Sequence, residues 1–257
     1  MKVVILAGGL GTRLAEETDT RPKPMVEIGG QPVLWHIMKH YETHGFSEFC
    51  VALGYKGDVV KRYFLDYAAL AGAMTVDLVD GKVTPSERQL ERWTVHLVDT
   101  GRDTNTGGRV GRLRQWLGGE TFMLTYGDGV SNVDLGKLLD FHRSHGKMAT
   151  LTAVRPPSRF GEMVFGDGDT VRFTEKPLME KGWINGGFMV FEPAMLDLID
   201  DDDGVSLEAD ILEELSERGE VVAFQHDAFW QCVDTLRELR ALRGMWDAGA
   251  APWVTWQ

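Results

Sequence analysis

The sequence is poor in cysteine, since only Cys50 and Cys232 occur among its 257 residues. A disulfide framework or a cysteine-based zinc site is therefore not expected, and the low count is typical of a reducing compartment. No apolar run approaches the roughly 20 residues that a membrane-spanning helix needs. The first such run, Val3 to Ala7, is too short for a signal peptide and ends in glycines. We therefore expect a cytoplasmic protein that binds no membrane.

Positive charge is also scarce, with 27 Lys and Arg against 39 Asp and Glu and a formal net charge of −12. This excess of acid argues against nucleic acid or an anionic membrane as the main partner. The 43% of hydrophobic and 10% of aromatic residues are typical of a globular protein with a sizeable core. An anionic ligand would have to be bound by positive charges gathered locally.

Alternating strand and helix patterns predict an α/β fold. The continuous apolar run Val3–Ala7 indicates a buried parallel strand, and Phe49–Leu53 indicates a second. Between them, Pro32 is expected to be the first residue of a helix that runs to about His44. Further helices are predicted at 58–70, 133–145, 207–218 and 237–245, and further strands at 121–126, 148–154 and 188–191. We expect a Rossmann-like, doubly wound, mixed but mostly parallel sheet.

One segment interrupts this alternation. Met74–Val79 and Trp93–Val98 show alternating side chains and predict antiparallel strands on either side of a polar excursion. We expect one domain over 1–257, with an antiparallel insertion at roughly 73–98.

The loop after the first predicted strand is rich in glycine and carries Arg13. Glycines let backbone N–H groups approach a phosphate, and a guanidinium can bind phosphate oxygens. A dinucleotide fingerprint would need a third glycine where Leu14 stands, and the Gly-Lys-Ser/Thr end of a P-loop is absent. Without further context, a tight turn that binds no ligand remains an alternative.

Two other segments carry candidate residues. Lys23 stands between Pro22 and Pro24, which restrict the backbone on both sides of it. Asp128 lies in Gly127-Asp128-Gly129 at the end of a buried strand, where α/β sheets bind ligands and a carboxylate can hold Mg²⁺. By spacing alone, this second segment is more often only a turn.

Taken together, these segments resemble the signature of sugar-nucleotide pyrophosphorylases. That signature joins Gly8-Gly9-x-Gly11-Thr12-Arg13-Leu14 to Pro22-Lys23-Pro24-Met25. Motifs similar to the cytidylyl-transferring branch follow in order along nearly the whole chain. They are 29–38, 98–101, 106–109, 125–130, 159–161, 175–177, 184–188, 229–231, 234–235 and 251–253.

The resemblance implies a reaction between CTP and α-D-glucose 1-phosphate that gives CDP-glucose and pyrophosphate, with Mg²⁺ as cofactor. It implies catalytic roles for Arg13, Lys23, Asp128 and Lys176, and metal ligation by Asp128 and Asp234. By spacing alone, Asp234 would be the N-cap of the last helix. The nucleotide is expected to contact Leu6, Ala7, Gly8, Gly9, Gly11, Thr12, Arg13, Thr104 and Arg109. The sugar phosphate is expected to contact Lys176, Glu175, Asn185 and Gly186, within a sugar-binding part at roughly 150–235.

Other interpretations stay open at this point. A pyrophosphorylase of the same family acting on another nucleotide, or on another sugar or cyclitol phosphate, would carry the same catalytic residues. A catalytically silent regulatory subunit is disfavoured because Arg13, Lys23, Asp128 and Asp234 are all present. The missing third glycine disfavours a nicotinamide-dependent oxidoreductase. Cys232-Val233 and the stretch 202–210 depart from the family pattern, and the family suggests a homo-oligomer, a hexamer. His36, in an apolar helix, is expected to be a core histidine.

Overall fold

The computed structural model describes residues 1–9, 11, 14–70, 72–85, 90–156, 162–165, 171–174 and 182–256. The strands are β1 Lys2–Ala7, β2 Glu27–Ile28, β3 Gln31–Pro32, β4 Glu48–Leu53, β5 Met74–Val76, β6 Val83–Pro85, β7 Thr94–Asp99, β8 Phe122–Tyr126, β9 Gly129–Ser131, β10 Ala149–Val154, β11 Glu162–Phe165, β12 Val171–Thr174, β13 Ile184–Phe191, β14 Val221–His226 and β15 Trp230–Cys232. The α-helices are α1 Ala15–Thr18, α2 Val33–Thr43, α3 Gly57–Leu70, α4 Thr106–Arg112, α5 Arg114–Leu117, α6 Leu135–His145, α7 Glu213–Glu217 and α8 Leu236–Asp247. Lys23–Met25 and Pro193–Leu198 are 3₁₀ turns, and Leu207–Leu212 is a π-helix that leads directly into α7.

A seven-stranded sheet in the order β14-β10-β13-β8-β1-β4-β7 forms the centre of the structure. The neighbours β8, β1, β4 and β7 are all parallel, as are β10 and β14. Only β13 runs antiparallel to its neighbours in this sheet, β10 and β8. The predicted mixed, mostly parallel α/β sheet is therefore confirmed.

The predicted antiparallel pairing of Met74–Val79 with Trp93–Val98 is wrong. The structure pairs β5 with β6 in a short hairpin, whereas β7 joins the central sheet parallel to β4, with Phe49 opposite Val95. The alternating pattern of β7 reflects its place at the edge of the sheet, where its side chains are only partly buried. The antiparallel piece is thus confined to residues 74–85.

At the starts of α2 and α8, the structure differs from the prediction by one residue. Pro32 is the N-cap of α2 in an extended conformation, so the helix itself begins at Val33. Thr235, and not Asp234, is the N-cap of α8, and with Glu238 it forms a reciprocal capping box. Asp234 is therefore not the cap of this helix.

Both faces of β1 are buried, which places its end at the centre of the protein. Val3, Ile5 and Ala7 pack into a core beneath α2, α6 and α8, while Val4 and Leu6 pack against the opposite side, towards α4 and α5. His36 of α2 lies fully buried in the first core, with Nε2 2.9 Å from the carbonyl oxygen of Ile28. This confirms it as a core histidine. Among the described helices, none combines the length and the apolar character that crossing a bilayer requires.

Candidate active site

A cavity of about 430 Å³ opens at the carboxyl ends of β1 and β8. In parallel sheets this edge is where ligands bind. The structure brings nine of the predicted site residues together around the cavity: Leu6, Ala7, Gly8, Gly9, Gly11, Lys23, Thr104, Arg109 and Asp128. They come from four separate stretches of the chain, and the parallel pairing of β1 with β8 joins two of those stretches directly.

Two of the glycines in this region permit close approaches of the backbone. A Cβ on Gly127 would lie 2.8 Å from the carbonyl oxygen of Leu6. The same oxygen accepts a hydrogen bond from the Gly127 N–H at 2.9 Å. A Cβ on Gly8 would lie 2.2 Å from the guanidinium carbon of Arg109. A side chain at either position would therefore push the Leu6 backbone or the Arg109 guanidinium out of place at the cavity wall.

The ammonium of Lys23 lies between two carboxylates. Its Nζ donates to Asp128 Oδ2 at 2.6 Å and also to Asp234 Oδ1. Asp128 lies in the two-residue link between β8 and β9. The antiparallel pairing of β9 with β15 brings Asp234 beside it, with the Val233 N–H donating to the Asp128 carbonyl. Burial lowers the pKa of Lys23, but the two carboxylates outweigh burial and hold that pKa above its ordinary value. The lysine is therefore charged at neutral pH.

The two carboxylates fit a divalent cation by their chemistry. Asp234 is 9% exposed, and Asp128 borders the cavity. In proteins Mg²⁺ is usually held by one or two carboxylates together with phosphate oxygens of a substrate. The position between them already accommodates a positively charged group, the ammonium of Lys23.

Arg109 is buried, and its guanidinium bonds to protein atoms. Its Nη1 donates to Thr100 Oγ1 and to the carbonyl oxygens of Leu53 and Gly101, and its Nη2 donates to the carbonyl oxygens of Gly8 and Arg102. Burial lowers its pKa. The contact with a nucleotide phosphate that the sequence suggested stays a prediction, while the structure assigns Arg109 the role of tying three loops together.

β13, which pairs with β8 on the side away from β1, carries Asn185 and Gly186. Neither residue is among those that line the cavity, whereas Tyr126 is. Asn185 Nδ2 lies 3.4 Å from the Tyr126 hydroxyl, and Trp230 Nε1 donates to the Gly186 carbonyl at 2.7 Å. Tyr126 donates its O–H to Glu208 at 2.5 Å, and neither residue was given a role from the sequence. Glu208 belongs to the stretch 202–210 that departs from the family pattern, and that departure was the only signal for it.

Four predicted residues lie outside the described part of the chain. They are Thr12 and Arg13 of the glycine-rich loop, and Glu175 and Lys176 of the predicted sugar-phosphate site. Their predicted roles stay predictions.

Comparison with known proteins places this geometry in a family. The family model described as nucleotidyl transferase matches residues 2–243. Over the full length of both chains, the sequence is 48% identical to a glucose-1-phosphate cytidylyltransferase of Salmonella typhimurium. It is 41% identical, again over the whole of both chains, to a probable glucose-1-phosphate cytidylyltransferase of Bacillus subtilis.

A solved structure of HddC from Yersinia pseudotuberculosis superposes with a TM-score of 0.70 at 23% identity, covering 95% of this chain and 99% of that one. At this identity the superposition shows a shared fold. The family match over nearly the whole length settles the class: this chain belongs to the nucleotidyl transferase family.

Proposed function

We propose that the protein transfers the cytidylyl group of CTP to α-D-glucose 1-phosphate, giving CDP-glucose and pyrophosphate. The observation that carries this proposal is the convergence of Asp128 and Asp234 on Lys23, beside a glycine-rich loop at the end of β1. The full-length relatives named as glucose-1-phosphate cytidylyltransferases support the choice of CTP and glucose 1-phosphate.

The reaction needs positioning and charge more than proton transfer. An oxygen of the sugar phosphate, already an anion, forms a bond to the α-phosphorus of CTP, and the bond from that phosphorus to the bridging oxygen breaks to release pyrophosphate. No general base is required, because the nucleophile carries no proton that must be removed. The protein must hold two anions in line and offset the charge that gathers at phosphorus.

Different residues would supply the positive charge and the binding of the nucleotide. Asp128 and Asp234 would hold Mg²⁺, which supplies positive charge against the phosphate oxygens when bound. Lys23 adds a second positive charge at the same end of the cavity. The backbone of the loop that contains Gly8, Gly9 and Gly11 would receive the nucleotide.

Family resemblance supports the remaining assignments. Arg13 and Thr12 would contact the nucleotide, with Arg13 on the departing phosphates. Lys176 would bind the phosphate of the sugar phosphate, while Glu175, Asn185 and Gly186 would contact the sugar hydroxyls. Thr104 and Arg109 would line the nucleotide part of the site. In this proposal, the net charge of −12 is offset locally by four cationic side chains and one metal ion.

We also propose that residues 1–257 form one catalytic domain that works in the cytoplasm as a homo-oligomer, a hexamer by resemblance. Contact between copies is supported by apolar side chains that the hairpin of β5 and β6 leaves in water, where Leu78 is 91% and Val79 is 97% exposed. Light scattering on the purified protein measures the mass of the assembly, and a monomer would refute this part.

The activity is tested by measuring pyrophosphate release with each of the four nucleoside triphosphates. Glucose 1-phosphate, mannose 1-phosphate and galactose 1-phosphate serve in turn as the second substrate. We expect kcat/KM to be highest for CTP with glucose 1-phosphate, by about 100-fold over other pairs, since one unpaired buried polar group costs about 1–3 kcal/mol. A preference for another pair would refute the substrate assignment and leave the family unchanged.

A further inference from the structure

The carboxylate of Glu208 joins two walls of the cavity. It accepts the O–H of Tyr126, at the end of β8, at 2.5 Å and the O–H of Thr106, at the start of α4, at 2.6 Å. Ser206 Oγ donates to the same carboxylate at 3.1 Å, and the N–H of Leu207 donates to Thr106 Oγ1 at 2.9 Å. Several bonds therefore fix Glu208 at the first turn of the π-helix.

Tyr126 in turn contacts the segment of β13 that carries Asn185. Gly187 has a φ of +86°, and a Cβ there would lie 2.6 Å from the Tyr126 ring, so only glycine fits against this face. Asn185 Nδ2 lies 3.4 Å from the tyrosine oxygen, and Asn185 Oδ1 accepts the Gly187 N–H at 2.9 Å.

The chemistry of these groups gives every hydrogen bond one direction. An ionised carboxylate can only accept, so the Tyr126 O–H must donate to Glu208. The tyrosine oxygen can then only accept, and the Asn185 amide must turn its NH₂ group towards it. Burial first, and then the charge of Glu208, raise the pKa of Tyr126, so the phenol keeps its proton. The amide nitrogen also donates to Met189 Sδ at 3.7 Å and the amide oxygen accepts the Gly187 N–H, so one lone pair of that oxygen is left for another partner.

We propose that Glu208 is a positioning residue for the sugar phosphate, because it holds the Tyr126 ring against the segment of β13 that carries Asn185. The proposal rests on the proposed function in one respect, the assignment of Asn185 to the sugar hydroxyls. Glu208 itself touches no substrate. It acts by keeping the Tyr126 hydroxyl within reach of the Asn185 amide.

The first test is Glu208→Gln, which keeps the shape but offers one acceptor where the carboxylate offers two. One of the two hydroxyls must then reverse or lose its bond, and an Asn185 side chain that Tyr126 no longer holds in place binds the sugar less well. We expect the KM for glucose 1-phosphate to rise about 5- to 10-fold, the size of one weakened hydrogen bond, with the KM for CTP within about twofold. Glu213→Gln, an exposed carboxylate at the start of α7, is the matched control and leaves both constants unchanged.

A double-mutant cycle with Tyr126→Phe shows whether Glu208 acts through the tyrosine. Without the phenol hydroxyl, Glu208→Gln should change the KM for glucose 1-phosphate no further, since coupled groups are not additive. Equal rises in both KM values, or effects that multiply in the double variant, would overturn the inference. If Glu208→Gln does not fold, Tyr126→Phe alone must reproduce the selective rise, and its failure to do so overturns the inference as well.

The two proposals fail separately. If the wild-type protein prefers another pair of substrates, the proposed function is wrong, and the same comparison of KM values is made on the preferred pair. If the wild-type protein uses CTP with glucose 1-phosphate and Glu208→Gln shows no selective effect, only the inference about Glu208 is wrong.

Discussion

Replacement of Arg109 by methionine separates a nucleotide-binding arginine from one that holds the loops. Methionine fills a similar volume but donates no hydrogen bond. In the structure the guanidinium donates to four backbone carbonyls and to Thr100 Oγ1, and it joins the glycine-rich loop at Gly8 to the segments at Leu53 and Gly101. The variant leaves these acceptors without that donor.

The expected cost follows from those carbonyls. At about 1 kcal/mol for each carbonyl that loses its partner, and with some of that loss recovered by water, we expect the free energy of unfolding to fall by about 3 kcal/mol. For a chain of this size, that corresponds to a fall in Tm of about 6–12 °C. The KM for CTP should rise too, because Gly8 lies on the cavity wall and its loop would no longer be held.

The assay is urea or thermal unfolding of the ligand-free protein, with Arg143→Met on the exposed side of α6 as the control. The control should unfold like the wild type. If Arg109→Met left unfolding within about 0.5 kcal/mol of the wild type, typical of a harmless surface change, while CTP affinity was lost, our assignment would be refuted. The arginine would then act on the nucleotide directly.

Three further predictions concern the metal ligand, a core histidine and a glycine. Asp128→Asn should lower kcat about 100-fold or more at saturating Mg²⁺ while the protein stays folded, and an unchanged kcat would contradict the metal assignment. Burial lowers the pKa of His36 to about 4, so the folded state disfavours its protonation; the stability this gives is complete above about pH 6.5 and is lost as the pH falls towards 4. That loss is about 3 kcal/mol, and acid titration of His36→Gln should lack it; an identical acid profile would refute this. Gly187→Ala should lower stability by about 1–2 kcal/mol because of its positive φ and raise the KM for the sugar phosphate through Tyr126, and a variant equal to the wild type in both would show that the contact is unimportant.

Most strands and helices could be predicted because the spacing of apolar residues that marks them repeats within a few positions of the chain. The apolar run of β1 and the helical spacing of α3 report burial directly, whatever the rest of the chain does. The pairing of β7 could not be read in this way. An edge strand of a parallel sheet and a strand of an antiparallel hairpin both alternate, and only the partner strand distinguishes them.

Site residues could be predicted where they stand in a short motif typical of phosphate or metal binding. They could not be predicted where their role depends on hydrogen-bond partners far away in the sequence. Lys23, Asp128 and the glycines of the loop were found by motif and resemblance, and the structure brings them to one cavity. Arg109 looked like a phosphate ligand because its carbonyl partners lie up to 101 residues away. Glu208 lies 82 residues from Tyr126 and 102 from Thr106, and no local pattern connects the three.

The π-helix at Leu207–Leu212 gives the position of Glu208 a dependence on chain length. A π-turn holds one residue more than an α-turn, so deleting one residue after Glu208 would let the segment close as an ordinary α-helix continuous with α7. Each residue of an α-helix advances by about 100°, so the carboxylate would be carried away from Tyr126 by roughly a quarter of a turn. A single deletion could thus uncouple the two walls of the cavity while every side chain that lines it stays the same.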